Sequence, residues 1–213
     1  MVTDRRRYEA GSDAGNLAQL LAAIRRAARA GIQLVQIRER ELTDRMLLAF
    51  VKDAIAAVRD TPARVLVNER TDIAVAAGAA GVHLRSTSAS AARVRATAPD
   101  EFLVGRSIHS REEAESAVRE GGCDYLLFGT IYQSTSKPDV HPAAGVDALR
   151  TVCAASPLPV LAIGGITLGR AAEVARAGAS GIAAISLFAH GSEQVLRQTA
   201  DGIRNAFALA RST

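Results

Sequence analysis

Seven short apolar runs constrain the fold of this chain more than any other feature of its sequence. Each is about four residues long and is followed by glycine or by a polar cluster; they occupy residues 34–37, 65–67, 81–84, 102–105, 125–128, 160–163 and 182–185. Runs this short and this continuously apolar are typical of strands buried on both faces. The pattern therefore predicts a parallel sheet covered by helices.

The stretches between the apolar runs are rich in Ala, Arg, Glu and Leu with helical periodicity. They predict helices over residues 16–30, 44–59, 71–77, 89–98, 111–120, 146–155, 169–177 and 194–210. Several of these helices end in glycine just before the next strand begins, and glycine readily takes the left-handed conformation that ends a helix. Alternating strands and helices indicate right-handed βαβ units.

A weak additional strand at residues 1–3 brings the predicted number of strands to eight. Eight strand–helix units in a chain of 213 residues predict a single-domain (β/α)8 TIM barrel over residues 1–213. The alternative is an open doubly wound sheet, which normally has a glycine-rich turn after its first strand, and the sequence has none there. Because the first strand is so short, a trimmed or misassigned start stays open.

Charge and composition favour small anionic partners over macromolecular ones. The formal net charge is +4, but the arginines alternate with acidic residues, and only 4% of residues are aromatic, which disfavours nucleic acid as a partner. Cys123 and Cys153 fit neither a zinc spacing nor a disulfide framework. No apolar stretch has membrane-spanning length, so we expect a cytoplasmic protein without a membrane partner. The sequence leaves homo-oligomerisation open.

In a barrel of this kind the active site lies at the carboxyl ends of the strands. The second predicted strand ends in a polar stretch where period-two alternation places Gln36, Arg38 and Arg40 on one side. Guanidinium groups bind phosphate oxygens in pairs, so two of them suit a diphosphate. The alternative interpretation is a solvated run of charges.

Other strand ends carry further candidate ligands for phosphate and metal. Asn68 and Glu69 offer oxygen atoms of the kind Mg²⁺ prefers, although Glu69 could instead pair with a neighbouring arginine. The segments after the seventh and eighth predicted strands favour a phosphate site. The seventh is followed by Gly164 and Gly165, and the eighth ends in Ile185 and Ser186.

The loop after the sixth predicted strand and the histidines give weaker signals. Ser134, Ser136 and Lys137 supply two hydroxyls and one ammonium group within a short loop. Of the histidines, His83 is expected to be packed inside a strand, while His109 follows a strand end and is expected near the site. His190 is expected at the start of the last helix.

Eight motifs in order along the chain resemble the thiamine phosphate synthase/TenI family. They are Val-Thr-Asp-Arg at 2–5, Val-Gln-Ile-Arg-Glu-Arg at 35–40, Val-Asn-Glu-Arg at 67–70, Gly-Val-His-Leu at 81–84, Gly-Arg-Ser-Ile-His-Ser at 105–110, Asp-Tyr-Leu-Leu-Phe-Gly at 124–129, Ser-Thr-Ser-Lys-Pro-Asp at 134–139 and Ala-Ile-Gly-Gly-Ile at 162–166. In the synthase branch of that family, hydroxymethylpyrimidine diphosphate ionises and the nitrogen of a thiazole phosphate captures the pyrimidine cation.

The resemblance implies a role for each matching position. The expected diphosphate ligands are Gln36, Arg38, Asn68, Ser107 and Lys137, with Arg40 where the family usually has lysine. The expected thiazole phosphate ligands are Ser134, Ser136, Gly165 and Ser186. The resemblance also implies Mg²⁺ as cofactor and phosphorylated small molecules as substrates.

Two departures from the family pattern leave three functions open. Where the family usually holds its metal with two aspartates, this chain has Glu69 and Ser88. Where the TenI-type thiazole tautomerases use a histidine, it has Thr130. We therefore predict a thiamine phosphate synthase, with a thiazole tautomerase or a non-catalytic phosphate-binding relative as alternatives.

Overall fold

A computed structural model describes residues 1–133 and 143–212. Within them, seven strands run parallel and follow one another in sequence order. The strands are β1 (Leu34–Ile37), β2 (Arg64–Asn68), β3 (Gly81–Leu84), β4 (Leu103–Ile108), β5 (Tyr125–Gly129), β6 (Val160–Ile163) and β7 (Gly181–Ala183). All seven predicted apolar runs thus contain strands, and the predicted parallel α/β class is confirmed.

The described residues also form nine α-helices, eight of which correspond to the predicted ones. They are α1 (Asp13–Arg29), α2 (Asp44–Val58), α3 (Thr71–Ala77), α4 (Ala91–Arg95), α5 (Arg111–Glu120), α6 (Gly145–Ala155), α7 (Ala171–Arg176), α8 (Ser186–Ala189) and α9 (Glu193–Arg211), with 3₁₀ turns at Arg5–Arg7 and Leu168–Arg170. None of these helices combines the length and the apolar character needed to span a bilayer.

The chain divides into two compact units. The first unit comprises Met1–His83, Glu101–Leu103 and Ile185–Ala200, and the second comprises the described residues of Leu84–Asp100, Val104–Ala184 and Asp201–Thr213. The interpretation of the chain as one domain stays a prediction.

The first unit is built on β1, β2 and most of β3. The register pairs Val35 with Val65 and Val67 with Val82, and these four side chains are buried. The weak strand predicted at residues 1–3 is represented by a single parallel bridge between Val2 and Gln36, and the described residues do not form a complete eighth strand. Two backbone hydrogen bonds flank the bridge, one from the Gln36 amide to the Met1 carbonyl at 2.9 Å.

The second unit packs α5, α6 and α7 around β5 and β6. Its core contains Phe128, Leu149, Val174 and Phe207, all at most 6% exposed. Gly105 in β4 is required by close packing, because a Cβ atom there would lie 2.0 Å from Cζ of Tyr125.

The end of the chain differs from the sequence prediction. The strand predicted over 182–185 ends at Ala183, and Ile185 has helical backbone angles as the N-cap of α8. A new helix therefore begins at Ser186, where the prediction had a strand end. His190 follows α8 and does not begin the last helix, which starts at Glu193.

Candidate functional site

Gln36 and Asn68 lie together at the carboxyl ends of two neighbouring strands. Gln36 is in β1 and Asn68 is the last residue of β2. Both are at most 9% exposed, and Gln36 Nε2 donates a hydrogen bond of 3.0 Å to Asn68 Oδ1. The structure thus brings together two of the predicted diphosphate ligands.

Residues 38–40, which we call the arginine segment, follow directly after β1. We had expected the alternation of a strand to extend through Arg40. It does not, because β1 ends at Ile37. Arg38 is half-buried and Arg40 is exposed. Burial, and then the charge of Arg40, lower the pKa of Arg38 below its usual value.

Neither arginine of this segment forms a salt bridge with a carboxylate in residues 1–133 and 143–212. Nearby Arg5 and Arg6, in contrast, do so with Asp13, Glu39, Glu41 and Asp4. A guanidinium group without a carboxylate partner has donors left for an anionic ligand.

Glu39 between them is buried, which sequence reasoning missed. It is 4% exposed, and its Oε1 accepts a hydrogen bond of 2.6 Å from Thr3 Oγ1. Its Oε2 accepts from the Arg5 amide at 3.1 Å. Desolvation raises the pKa of Glu39, and the bonds from Thr3 and Arg5 oppose that shift. The motif Val-Thr-Asp-Arg at 2–5 could have indicated this burial, since it contains Thr3 and Arg5, the two partners of Glu39.

Glu69 has a strained backbone. Its φ of 67° lies in the left-handed region, which residues with a side chain seldom adopt, and its amide donates to the His83 carbonyl at 2.9 Å. Such outliers cluster at functional sites.

The predicted metal position does not form a cage of protein ligands. In the described part of the chain, no three His, Cys, Asp or Glu side chains converge as metal ligands do. Ser88 Oγ accepts a hydrogen bond of 2.8 Å from the Arg85 amide, so it caps a turn. Asn68 Oδ1 is engaged by Gln36. Glu69 therefore offers a single carboxylate, which fits Mg²⁺ held together with the phosphates of a substrate and does not fit an all-protein metal cage.

Two histidines have different environments. His83 is 1% exposed, and burial lowers its pKa to about 4, so it is the neutral, packed histidine that we predicted. His109 follows β4, and its Nδ1 lies 2.6 Å from the Gly129 carbonyl oxygen. Because a carbonyl only accepts, Nδ1 carries a hydrogen and donates it to Gly129.

Ser107 lies in β4 and is half-buried. It contributes to a small polar cavity whose lining also includes Arg106, Glu113 and Glu120. Arg106 donates to the Ser86 carbonyl at 2.9 Å and thereby ties the segment after β3 to β4.

The turn at Gly164 and Gly165, which we call the glycine turn, follows β6. Their φ values are 105° and 60°, and a Cβ atom at Gly165 would lie 2.8 Å from the backbone oxygen of Gln133. Only glycine combines such angles with such close backbone packing. Because neither residue carries a side chain, the turn is compatible with the close approach of a phosphate to its backbone.

An aromatic and a guanidinium group brace this turn from the surface. The Tyr132 amide donates to the Gly164 carbonyl at 3.1 Å, and Arg170 Nη1 donates to the Gly165 carbonyl at 2.7 Å. The Arg170 guanidinium lies 4.2 Å from the centroid of the Tyr132 ring. The Tyr132 hydroxyl donates to Glu173 at 2.7 Å, and burial together with this bond raises the pKa of Tyr132 to about 12.

The remaining predicted ligands are placed as follows. Ile185 and Ser186 lie at the start of α8 in the first unit. Ser134, Ser136 and Lys137 lie outside the described residues.

Comparison with known proteins identifies the family. A family model described as thiamine monophosphate synthase matches residues 8–188. The chain belongs to this family. A thiamine-phosphate synthase of Methanoculleus marisnigri is 37% identical over 188 residues, which are 88% of this chain and 88% of that protein. One from Methanoregula boonei is 40% identical over 160 residues, 75% of this chain and 74% of that protein.

A solved structure supports the same assignment to the thiamine monophosphate synthase family. The thiamine phosphate pyrophosphorylase from Pyrococcus furiosus matches with a TM-score of 0.79 and 28% identity. The match covers 98% of this chain and 94% of that one. The resemblance seen in the sequence motifs is thus confirmed.

Proposed function

We propose that this chain is a transferase that couples hydroxymethylpyrimidine diphosphate to a thiazole phosphate and releases diphosphate. In addition to the family membership, the proposal rests on one observation of the structure. Arg38 and Arg40 lie at the end of β1, next to the Gln36–Asn68 pair, without a carboxylate partner in the described residues. Two uncompensated guanidinium groups at a strand end are suited to a leaving diphosphate.

The chemistry needs stabilisation of the leaving group more than it needs a proton carrier. When the bond from the pyrimidine methylene carbon to oxygen breaks, its electron pair leaves with the diphosphate. The thiazole nitrogen then donates its lone pair to the methylene carbon. Fixed cations that face the departing oxygens lower the barrier, because they need no reorganisation as the charge develops.

The chain's own residues divide this task. Arg38 and Arg40 would offset the developing charge. Because Asn68 accepts from Gln36 through Oδ1, its Nδ2 is the atom available to donate to a phosphate oxygen. By resemblance to the family, Ser107 and Lys137 are assigned to the diphosphate, and the glycine turn, Ser134, Ser136 and Ser186 to the phosphate of the thiazole.

We further propose that Mg²⁺ enters together with the diphosphate. Glu69 offers a single carboxylate and Ser88 is committed to a turn, so the substrate's own oxygens would supply most of the ligands. Mg²⁺ should therefore bind measurably only when diphosphate is present.

The deciding experiment incubates the purified chain with both substrates, with and without Mg²⁺, and measures diphosphate and thiamine phosphate. Equal amounts of the two products are expected, with loss of both in an Arg38→Met variant. If the pure chain releases no diphosphate under either condition, the proposal is wrong.

One observation favours a second candidate, a thiazole tautomerase. His109 reaches the carbonyl of Gly129, the residue before Thr130, which occupies the position of the proton-transferring histidine in TenI-type enzymes. Its Nε2 could act there as the base. Metal-independent conversion of thiazole tautomers that disappears in His109→Gln would support this function. Tight thiazole phosphate binding with no turnover of either kind would leave a non-catalytic relative.

We also propose that the seven observed strands belong to a complete (β/α)8 barrel that forms one domain and works in the cytoplasm on phosphorylated small molecules. The parallel bridge from Val2 to Gln36 supports an abbreviated first strand. An experimental structure with bound diphosphate would test both the closure and the site.

A further inference from the structure

We propose that Thr3 is a positioning residue, which acts through Arg38 to prepare the chain for a diphosphate. The inference rests on the proposed function, since it assumes that Arg38 binds the diphosphate of the pyrimidine substrate. It assigns a role to the polar network of Thr3, Arg5 and Glu39, which no step of the chemistry uses directly.

The Thr3 hydroxyl connects the arginine segment to a buried carboxylate. Thr3 Oγ1 accepts a hydrogen bond of 2.9 Å from the Arg38 amide. The same oxygen donates its hydrogen to Glu39 Oε1 at 2.6 Å. Thr3 is fully buried, so water does not compete for either bond. One hydroxyl therefore holds the backbone of Arg38 and the side chain of Glu39, two consecutive residues directly after β1.

Arg5 completes the network from the other side. Its amide and its Nη1 lie 3.1 Å and 3.5 Å from Glu39 Oε2. The carboxylate thus has partners on both oxygens, as a buried charge requires. Because Arg5 and Thr3 satisfy Glu39, this carboxylate does not have to draw in the side chains of Arg38 and Arg40.

The pairing of Glu39 with Thr3 and Arg5 explains how the side chains of Arg38 and Arg40 remain close together without an ion pair in the described chain. Burial, and then Coulombic repulsion from Arg40, lower the pKa of Arg38, so both disfavour its charged form until an anion binds. A backbone held by Thr3 keeps Arg38 in place despite that repulsion. Preorganised cations stabilise a developing negative charge more than mobile ones do.

The test measures binding of inorganic pyrophosphate to the full chain by calorimetry, with and without Mg²⁺, and needs no turnover. Thr3→Val has nearly the same shape but removes the hydroxyl, and we expect it to raise the Kd by about tenfold, which corresponds to loss of one charge-assisted contact. Thr3→Ser retains the hydroxyl and should bind nearly as wild type does. In turnover, Thr3→Val should raise the KM for the pyrimidine diphosphate and leave that for the thiazole phosphate unchanged.

A matched control separates positioning from general loss of stability. Val51 is fully buried in α2 and has no proposed role in ligand binding. Val51→Ala should therefore lower the Tm while the pyrophosphate Kd stays at the wild-type value. If Thr3→Val folds too poorly to titrate, Thr3→Cys, which keeps a weaker donor, should give a Kd between those of Thr3→Ser and Arg38→Met.

The outcomes distinguish the inference from the proposed function. If Arg38→Met weakens pyrophosphate binding but Thr3→Val does not, the positioning role is wrong and the function stands. If Arg38→Met binds pyrophosphate as tightly as wild type, both are overturned. A wild-type chain that binds pyrophosphate through Arg38 and Thr3 but forms no thiamine phosphate would keep the positioning role and reject the synthase.

Discussion

The arginine segment and the glycine turn are both suited to phosphate, but they are stabilised in opposite ways. The arginine segment presents charged side chains and is anchored by its own Glu39, which is 4% exposed and bonded to Thr3 and Arg5. The glycine turn presents backbone and is held from the surface by Arg170 and Tyr132. Removing a hydrogen bond costs more stability in a buried network than at the surface, because the partner left behind cannot form a hydrogen bond with water instead. The two regions should therefore respond very differently to substitution.

The largest effect is expected at Arg38. Arg38→Met should lower kcat/KM for the pyrimidine diphosphate by about 100-fold, since loss of one preorganised donor commonly has that effect. Arg40→Met is the matched variant, and because Arg40 is exposed its effect should be about tenfold or less. Steady-state kinetics with each substrate varied would check both. Equal losses in the two variants would contradict the distinction between a half-buried and an exposed cation.

The next effect concerns the glycine turn. Gly165→Ala should reduce the free energy of unfolding by about 2–3 kcal/mol, through the positive φ and through crowding against Tyr132 and Gln133. It should raise the KM for the thiazole phosphate and leave pyrophosphate binding unchanged.

Gly78→Ala isolates the conformational part of that loss. Gly78 ends α3 with a φ of 72°, but a Cβ atom there would meet no other atom within 4 Å. The cost should be about 1 kcal/mol, without any change in KM. Denaturant titration compares the two variants, and equal costs would show that crowding at Gly165 is relieved by movement of its neighbours.

A pH effect is expected from the first unit. Burial lowers the pKa of His83 to about 4, so its neutral form stabilises the folded chain above the ordinary histidine pKa. As pH falls below about 6.5, the unfolded state gains a proton that the folded state does not, and between pH 7 and 5 stability should fall by about 2 kcal/mol. Denaturant titration of wild type and His83→Gln at both pH values would measure this. The same decrease in both would assign it to other groups.

The smallest effect is expected at the surface brace. Tyr132→Phe removes the bond to Glu173 but keeps the ring under Arg170, so stability should change by less than about 1 kcal/mol. Arg170→Met also removes the bond to the Gly165 carbonyl and should raise the KM for the thiazole phosphate about threefold. An effect as large as that of Thr3→Val would contradict the contrast between buried and exposed supports.

The sequence predicted regular elements best where local signals were strong. Helix α5 has the predicted bounds because the Ser110 side chain caps it, accepting from the Glu113 amide, and α3 has them because Gly78 ends it in the left-handed conformation. The extent of the weak strand at residues 1–3 and the helix at Ser186–Ala189 were not predicted, because segments of three or four residues carry no periodicity.

The site was predictable as a set of strand ends but not as a network. Gln36 and Asn68 meet because both lie near the carboxyl ends of neighbouring parallel strands, a consequence of topology. Burial of Glu39 depends on Thr3 and Arg5, which are 36 and 34 residues away in the sequence. An Arg-Glu-Arg stretch contains no local information about such a contact, so the burial of Glu39 was not predicted.

The segment between β5 and α6 has a consequence for exchanging activities within the family. The Ala144 amide donates to the Thr130 carbonyl at 2.8 Å, and the Gly145 amide donates to the Ile131 carbonyl at 3.1 Å. These two bonds join the described residues on either side of the segment that carries Ser134, Ser136 and Lys137. The entropy of connecting two fixed chain ends grows only slowly with the length of the connection. A segment of another length or composition, grafted between residues 133 and 143, would therefore meet ends that are already joined, and substrate preference could change there without rebuilding the sheet.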